Sequence, residues 1–509
     1  MSDPPAMLRL GLAAGGLRQA RRHPLLQSGH RARRHRERLA LLRPNGTGAA
    51  ASGWLCLTAF EDGAAAAPAQ REIQREIQRE IRREILSVVP QSCAAGEAPA
   101  DLPALRQVAQ GEANVSVLRL DGDSVPLEAQ FVSATWRHGR QAAAYEELVL
   151  TAPPGAAARL TALGAALACD LPVQWCGGPP LLAAAARLGV IVPPPLRAGQ
   201  IPFAIDDEAA STGAAFIAGA RHCLAQFDAN IQPVLCNRDA EGVHQMRVAL
   251  RRLRSILATF KAILPPETLL PLKEELRWLS EPLGKKRDLD VFLAETLAPL
   301  RQTLERQGSR LPALAHLAAV LEDRREAAQV ALESALLAPR CAAWRLGFAH
   351  LLDDLEQSIA AGGKSGRPEI LQMPARQFAA RLFRKRREKI KALGDRHARL
   401  PPAELHQLRI RAKKLRYAAE FFRPFFGRKE IRRFIEALAE LQDRLGVLND
   451  ADIGGSLVRN ILDAPERDAA AAALAGWFAG RERLQFDHLG EAWEAFAAVK
   501  PFWKDALKG

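Results

Sequence analysis

The segment HQMRVALRRLR at residues 244–254 is the most informative about the fold, because the related segment HQLRIRAKKLR recurs at residues 406–416. The second stretch begins 162 residues after the first. The same offset relates two Leu-Gly pairs, Leu283-Gly284 and Leu445-Gly446, each predicted to be a break after a second helix. It also relates the Asp-x-Asp motifs that follow, Asp288 with Asp450. Two separate motifs that keep one register indicate a duplicated unit, and we expect the copies to pack about an approximate two-fold axis.

Both stretches have the spacing of an amphipathic helix. In the first, Met246, Leu250 and Leu253 recur at helical intervals and are predicted to face a core. Another stripe of each helix is basic: His244, Arg247, Arg251 and Arg254 in the first copy, and His406, Arg409, Lys413 and Arg416 in the second. Arg252 and Lys414 lie on the flank of these stripes. The prediction is therefore one basic amphipathic helix per copy.

The basic stripes favour an anionic ligand. Like charges three or four residues apart on a helix repel by a few tenths of a kcal/mol per pair, and no acid interrupts either stripe. Arginine suits a phosphate ligand because its planar guanidinium donates two parallel hydrogen bonds. Two other interpretations stay open at this point: a solvated surface, or pairing with acidic stripes on neighbouring helices. The candidate binding residues are His244, Arg247, Arg251, Arg252, Arg254, Lys285, Lys286, His406, Arg409, Lys413, Lys414 and Arg416.

Some of these motif residues have a structural interpretation. A histidine at the start of a helix is often a hydrogen-bonded structural residue, which is the alternative for His244 and His406. Asp288 and Asp450 are predicted to be structural, each either capping a helix or holding an arginine in place. No nucleophile with a paired acid and base is evident, so no catalytic residue and no metal ligand are predicted.

The remaining chain predicts a multi-domain protein. Residues 1–70 include an Arg- and His-rich run and are expected to be a basic, disordered region. Residues 71–190 begin with the helical repeat REIQREIQREIRREI, followed by alternating runs between 114 and 150 that predict short antiparallel strands. Residues 191–204 form a proline-rich linker. Residues 205–509 are predicted to be all-helical, in halves of about 205–361 and 369–505.

Composition restricts the function classes. The 509 residues are 48% hydrophobic and 25% charged, with a net charge of +14, so the chain is globular and favours polyanionic partners. Seven cysteines without a C-x-x-C motif predict neither a disulfide framework nor a cysteine-rich zinc site. We find no secretory signal and no apolar run long enough to cross a membrane, which predicts a cytoplasmic protein without membrane contact.

The repeated motifs resemble the CHAD domain, the conserved histidine α-helical domain. The resemblance lies in HQMRVALRRLRS, LGKKRDLDVF, LHQLRIRAKKLRY and LGVLNDADI, and covers roughly residues 205–505. It implies two pseudo-symmetric four-helix bundles with a basic central groove that binds inorganic polyphosphate. It also implies association with polyphosphate granules and no catalysis by this domain. No cofactor is predicted. The family's groove positions correspond to Arg247, Arg251, Arg252, Arg254, Arg409, Lys413, Lys414 and Arg416.

The segment before the helical region resembles the latter half of a CYTH domain, the triphosphate tunnel fold. The resemblance predicts an incomplete α+β domain, a remnant of that family's β-barrel. Of the family's late-strand glutamates only Glu147 is kept, and the early E-x-E-x-K strand is missing. Without those carboxylates, oxygen ligands for Mg²⁺ or Mn²⁺ are lacking.

The leading prediction is thus a non-catalytic polyphosphate-binding protein. One alternative is a metal-dependent triphosphatase in residues 70–190. Another is general binding of nucleic acid or other polyanions, although only two tyrosines, Tyr145 and Tyr417, are available for base stacking. Nucleic acid is expected to bind only non-specifically. The sequence predicts neither the oligomeric state nor a preferred polymer length.

Overall fold

The fold is taken from a computed structural model of the chain. It describes residues 6–27, 30–44, 55–61, 105–120, 127–153, 156–177, 180–190, 194–199, 210–360, 369–396, 400–445, 468–478 and 488–507. The predicted REIQ helix at 71–85 and Asp450 lie outside these residues.

The chain forms two compact units. The first comprises Met1–Pro194, Ile231–Arg238 and Leu336–His350, and the second comprises Pro195–Asn230, Asp239–Ala335 and Leu351–Gly509. The division after Pro194 falls in the proline-rich segment. Two short segments from beyond residue 205 belong to the first unit, which the sequence did not predict.

The first unit is built on an antiparallel sheet. Its seven strands, in the order β3-β2-β4-β5-β6-β1-β7, are β1 (Ala6–Leu12), β2 (His30–Pro44), β3 (Leu55–Glu61), β4 (Leu105–Leu120), β5 (Leu127–His138), β6 (Gln141–Ala152) and β7 (Val173–Gln174). The turn between β5 and β6 is the two residues after His138, where Gly139 adopts a φ of +57° as a tight hairpin turn requires. The antiparallel strands predicted between 114 and 150 are confirmed, and they are longer than the sequence indicated.

Helices cover both faces of this sheet. They are α1 (Gly16–Ala20), α2 (Pro24–Gln27), α3 (Ala157–Asp170) and α4 (Pro180–Arg187). On one face, Leu10, Phe131 and Leu148 pack with Leu160 and Leu167 of α3. On the other, Val115, Trp136 and Tyr145 pack with the alanines of α4. The sheet is therefore the middle layer of an α+β unit.

The prediction that residues 1–70 are disordered is wrong for the part that the structure describes. Strand β1 pairs with β6 from Ala6 opposite Ala152 to Leu12 opposite Glu146, and β2 lies between β3 and β4. The first unit therefore begins well before residue 71. Backbone hydrogen bonds form these pairs whatever the side chains, and a run of charges hides the apolar alternation that marks a strand.

The second unit is helical. The helices after residue 205, of which α6 lies in the first unit and α10 and α11 lie in both, are α5 (Thr212–Ala229), α6 (Ile231–Asn237), α7 (Ala240–Thr259), α8 (Pro266–Val291), α9 (Ala298–Arg306), α10 (Pro312–Leu337), α11 (Pro339–Ala360), α12 (Ala375–Gly394), α13 (Pro402–Phe421), α14 (Arg428–Arg444), α15 (468–478) and α16 (Leu489–Ala498). The prediction of a helical C-terminal region is confirmed. No helix in the described ranges is both long and apolar enough to cross a membrane.

The helix boundaries repeat as the motifs do. We call α7 the first basic helix and α13 the second basic helix; both ends of the second lie 162 residues after those of the first. Helix α14 likewise begins 162 residues after α8. In each copy the basic helix packs between two others, α5 and α8 in the first and α12 and α14 in the second. The two basic helices also contact each other, as equivalent elements beside an approximate two-fold axis should.

Aromatic residues at equivalent positions join the two copies. Phe216 and Phe378 are 162 residues apart, and so are Phe260 and Phe422. The Phe260 ring centre lies 5.6 Å from that of Phe216, 5.2 Å from that of Phe378 and 5.7 Å from that of Phe422. These rings pack where the two copies meet, so the two copies share this part of the hydrophobic core.

The backbone at the start of α5 also pairs with the backbone at the start of α12. The Thr212 N–H donates to the Met373 carbonyl and the Ala375 N–H donates to the Ala210 carbonyl, each at 2.8 Å. An antiparallel bridge joins Ser211 to Pro374. The copies are therefore connected through the backbone as well as the aromatic core.

The predicted break at Leu283-Gly284 is wrong, because α8 runs through both residues to Val291. Gly284 instead allows the Arg247 side chain to approach the helix backbone closely. The Arg247 Nη1 donates to the Gly284 carbonyl at 2.9 Å, and a Cβ on Gly284 would lie 3.3 Å from that nitrogen.

Candidate anion-binding site

Positive charges from both basic helices converge on Lys413. Burial and, after it, the charges of Arg251, Arg409, Arg247 and Arg416 together lower the pKa of Lys413 to about 8. Two of these arginines belong to the first basic helix and two to the second. We call Arg247, Arg251, Arg409, Lys413 and Arg416 the cation cluster. Arg247 and Arg251 occupy positions equivalent to those of Arg409 and Lys413, and the contact between the two helices brings these positions together.

An aromatic ring lies among these cations. The ring centre of Tyr417 is 5.6 Å from the Arg251 guanidinium carbon, 6.0 Å from the Lys413 Nζ and 5.4 Å from the Arg416 guanidinium carbon. The face of an aromatic ring attracts cations at these distances.

Carboxylates neutralise only part of the cluster. Arg247 Nη1 lies 2.9 Å from Asp288 Oδ1, and Arg416 Nη1 lies 3.2 Å from Glu420 Oε1. Within the described residues, no carboxylate pairs with Arg251, Arg409 or Lys413. A group of cations that repel one another without acidic partners is suited to hold an anion.

The positive surface continues along the first copy. Burial lowers the pKa of Arg254, and the charges of Arg247 and Arg277 lower it further. Burial also lowers the pKa of His244, with Arg287, Arg251 and Arg247 acting in the same direction against Glu241. His244 and Arg254 therefore lie close to cluster members. His406 is exposed at the start of the second basic helix.

Several predicted residues lie elsewhere. The Arg252 Nη1 donates to the Gly199 carbonyl at 3.2 Å. Burial and the charge of Arg252 lower the pKa of His222. Lys285 is exposed and pairs with Glu281 at 2.8 Å, whereas Lys286 is buried and pairs with the buried Asp290. Lys414 is exposed on the flank of the second basic helix.

The two acids of the Asp-x-Asp motif in the first copy have different contacts. Asp288 pairs with Arg247 of the cation cluster, whereas Asp290 is buried with Lys286 and lies 3.9 Å from Arg325. Asp288 thus holds an arginine in the site, and Asp290 belongs to the interior of the helical unit.

Other basic residues of α12 bind backbone carbonyls. Arg386 donates to the Lys414 carbonyl at 2.6 Å and to Thr259 Oγ1 at 3.0 Å, and burial lowers its pKa to about 10. Arg387 donates to the carbonyls of Ala497 and Val499. These two arginines connect helices and do not extend the cation cluster.

The carboxylate on which the triphosphatase alternative depends is enclosed. Glu147 is 1% exposed, and its Oε1 lies 3.1 Å from Arg9 Nη1. Strand alternation places it on the same face as Tyr145 and Val149, the face that α4 covers. The first strand of the sheet, AMLRLGL, has no carboxylate. In the described parts of the chain, no group of three or more His, Cys, Asp or Glu residues could hold a metal ion.

Sequence reasoning missed Tyr417 and Arg277 as members of this surface. Arg277 shares a helical face with Gly284 and Asp288, at intervals of seven and four residues, and this spacing was a usable signal. Tyr417 gave no such signal, because its position next to Arg251 depends on the contact between the two basic helices.

Comparison with known proteins identifies the helical region. Residues 218–459 match the family described as CHAD domain, and this part of the protein is a CHAD domain. The crystal structure of the CHAD domain from the plant Ricinus communis is 28% identical, covering 60% of this chain and 98% of that chain with a TM-score of 0.50. PptA from Streptomyces chartreusis is 19% identical over 57% of this chain and 99% of that chain, with a TM-score of 0.35, too low for a fold comparison. The comparison with curated proteins found no match.

Proposed function

We propose that the CHAD domain of this protein binds inorganic polyphosphate through the cation cluster and catalyses no reaction. The observation that carries the proposal is the convergence of four arginines from two helices on the half-buried Lys413. The resemblance to CHAD domains supplies the ligand, since it implies polyphosphate binding. A linear polymer with about one negative charge per phosphate can contact both helices at once, with affinity dominated by counterion release.

The residues proposed to bind are of two kinds, those in or beside the cluster and those exposed on the second basic helix. They are the cation cluster, with His244 and Arg254 beside it and the exposed His406 and Lys414 on the second basic helix. Lys286 is left out because it is buried with Asp290. Arg252 and Lys285 are secondary candidates because a backbone carbonyl and Glu281 already engage them.

The proposal is tested with the double variant Arg409→Gln, Lys413→Gln in the full-length protein. The measurement is a titration with long-chain polyphosphate at two salt concentrations. We expect the affinity to fall by about tenfold or more, with a shallower salt dependence because fewer counterions are released. Thermal unfolding should not shift downward, because the variant removes repulsion between like charges.

The matched control is Arg428→Gln, Lys429→Gln at the exposed start of α14. It removes the same net charge outside the cluster and should change the affinity by less than about twofold. Equal losses in the two double variants would reject the cation cluster as the site and indicate a diffuse charge effect.

Selectivity and location belong to the same proposal. Excess DNA or RNA should displace polyphosphate poorly, because nucleic acid is proposed to bind only non-specifically. In cells, we propose a cytoplasmic protein that associates with polyphosphate granules. Sedimentation with isolated granules, lost in the Arg409→Gln, Lys413→Gln variant, is the corresponding measurement.

A further inference from the structure

Tyr417 is the one aromatic ring that contacts cations from both basic helices among the contacts the structure describes. Arg251 comes from the first basic helix, while Lys413 and Arg416 come from the second. All three cations lie within 6.0 Å of the ring centre. A ring in this position interacts with three of the five members of the cation cluster.

These cations have few other partners. Arg251 Nε and Arg416 Nε are buried without a hydrogen-bond partner among the described residues. Arg251 and Lys413 also have no carboxylate partner in the part of the chain that the structure describes. For Arg251 and Lys413, the negative face of the tyrosine ring therefore supplies an attraction that offsets part of the repulsion within the cluster.

The duplication does not repeat this ring. The position equivalent to Tyr417 in the first copy is Ser255, 162 residues earlier. Both residues line one small cleft between the basic helices, together with Arg252, Thr259 and Glu420. A small residue on one side leaves room for the ring on the other, so a single tyrosine serves both helices.

Core packing does not account for Tyr417. Its neighbours Ala418 and Phe422 are fully buried, and Phe422 packs against the aromatic residues shared by the two copies. Tyr417 itself is only partly buried, on the side of the helix that carries the cations.

We propose that Tyr417 is a positioning residue of the anion site, which holds Arg251, Lys413 and Arg416 in the arrangement that polyphosphate binds. This inference rests on the proposed function. Side chains held in place before binding lose less conformational entropy when the ligand arrives, so the ring raises affinity without contacting phosphate.

The experiment compares Tyr417→Phe with Tyr417→Leu in the full-length protein. Each variant is titrated with long-chain polyphosphate over a series of salt concentrations, and thermal unfolding is followed in parallel. Phenylalanine keeps the ring, so affinity and salt slope should stay within about twofold of the wild type. Leucine removes the ring, so affinity should fall about fivefold or more and the salt slope should decrease by about one.

A mutant cycle with Arg251→Gln separates positioning from a structural role. If the ring acts through Arg251, the loss caused by Tyr417→Leu should be much smaller in the Arg251→Gln background. This coupling remains measurable even if Tyr417→Leu lowers the melting temperature. Additive losses would overturn the inference, and so would unchanged affinity and slope in Tyr417→Leu or an equal loss in Tyr417→Phe. Failure of the wild type to bind polyphosphate would instead reject the proposed function itself.

Discussion

At the scale of single residues, burial and the neighbouring arginines disfavour the charged form of Lys413. Its pKa is lowered from the ordinary 10.5 to about 8, so the folded protein holds this proton less tightly than the unfolded chain does. Between about pH 8 and 10.5 the unfolded chain keeps the proton and the folded chain has lost it, so stability rises with pH in this window. Below about pH 8 both states are charged and the full cost is present.

The titration of Lys413 predicts a pH dependence of binding. Polyphosphate favours the charged lysine, so affinity should fall several-fold as pH rises from about 7.5 to 9. His244 is neutral throughout this range, because burial and Arg287 lower its pKa. The variant Lys413→Arg keeps its charge and should give a much flatter profile over the same pH values. Identical profiles for the variant and the wild type would exclude Lys413 as the titrating group.

Asp288 is predicted to hold Arg247 in place at the expense of binding strength. Its carboxylate lies 2.9 Å from Arg247 Nη1 and neutralises one charge of the cluster. Asp288→Asn keeps an oxygen acceptor and removes the negative charge, so polyphosphate affinity should rise a few-fold at low salt. The free energy of unfolding should fall by less than about 1 kcal/mol, as expected for a partly exposed pair. Weaker binding would show instead that the paired geometry of Arg247 matters more than the net charge.

At the scale of helices, the two copies differ in how their basic helices begin. Asp239 precedes the first basic helix, and its side chain accepts a hydrogen bond from the Gly242 N–H at 2.9 Å. The equivalent residue in the second copy, Pro401, has no capping side chain. Asp239→Ala should therefore lower the free energy of unfolding by about 1 kcal/mol. Asp239→Asn retains the cap, so denaturant unfolding should show little change for this control.

The same scale shows what could be predicted from the sequence. The positions of the two basic helices and their buried stripes follow from helical spacing, because Met246, Leu253, Leu408 and Leu415 repeat at intervals that any helix buries on one side. Helical spacing does not show whether the Leu-Gly pair interrupts a helix. Gly284 lies inside a helix because Arg247 approaches it, and this contact involves a residue 37 positions away.

At the scale of the whole molecule, the proposed ligand should stabilise the CHAD domain. A ligand that binds only the folded state, at a hundred times its Kd, adds about 2.7 kcal/mol to the free energy of unfolding. Thermal unfolding with long-chain polyphosphate should therefore shift upward for the wild type and much less for Arg409→Gln, Lys413→Gln. An equal upward shift in both proteins would place the binding outside the cation cluster.

The N-terminal unit shows the limit of sequence reasoning at this scale. Strands β4 to β6 are adjacent in sequence and alternate clearly, so they were predictable as a meander. Strand β1 pairs with β6, about 140 residues further along the chain, and such a pairing has no local signal. The same holds for residues 231–238, which leave the helical region to join the first unit.

Because the two copies share these phenylalanines, the CHAD domain is like a dimer whose two subunits are joined in one chain. Phe260 of one copy contacts both Phe378 and Phe422 of the other, so part of the aromatic core is shared between the copies. If the chain were cleaved between residues 361 and 368, each fragment would expose the apolar surface of these phenylalanines to water. We expect the two fragments to associate on mixing. The N-terminal fragment alone should self-associate through the same apolar surface.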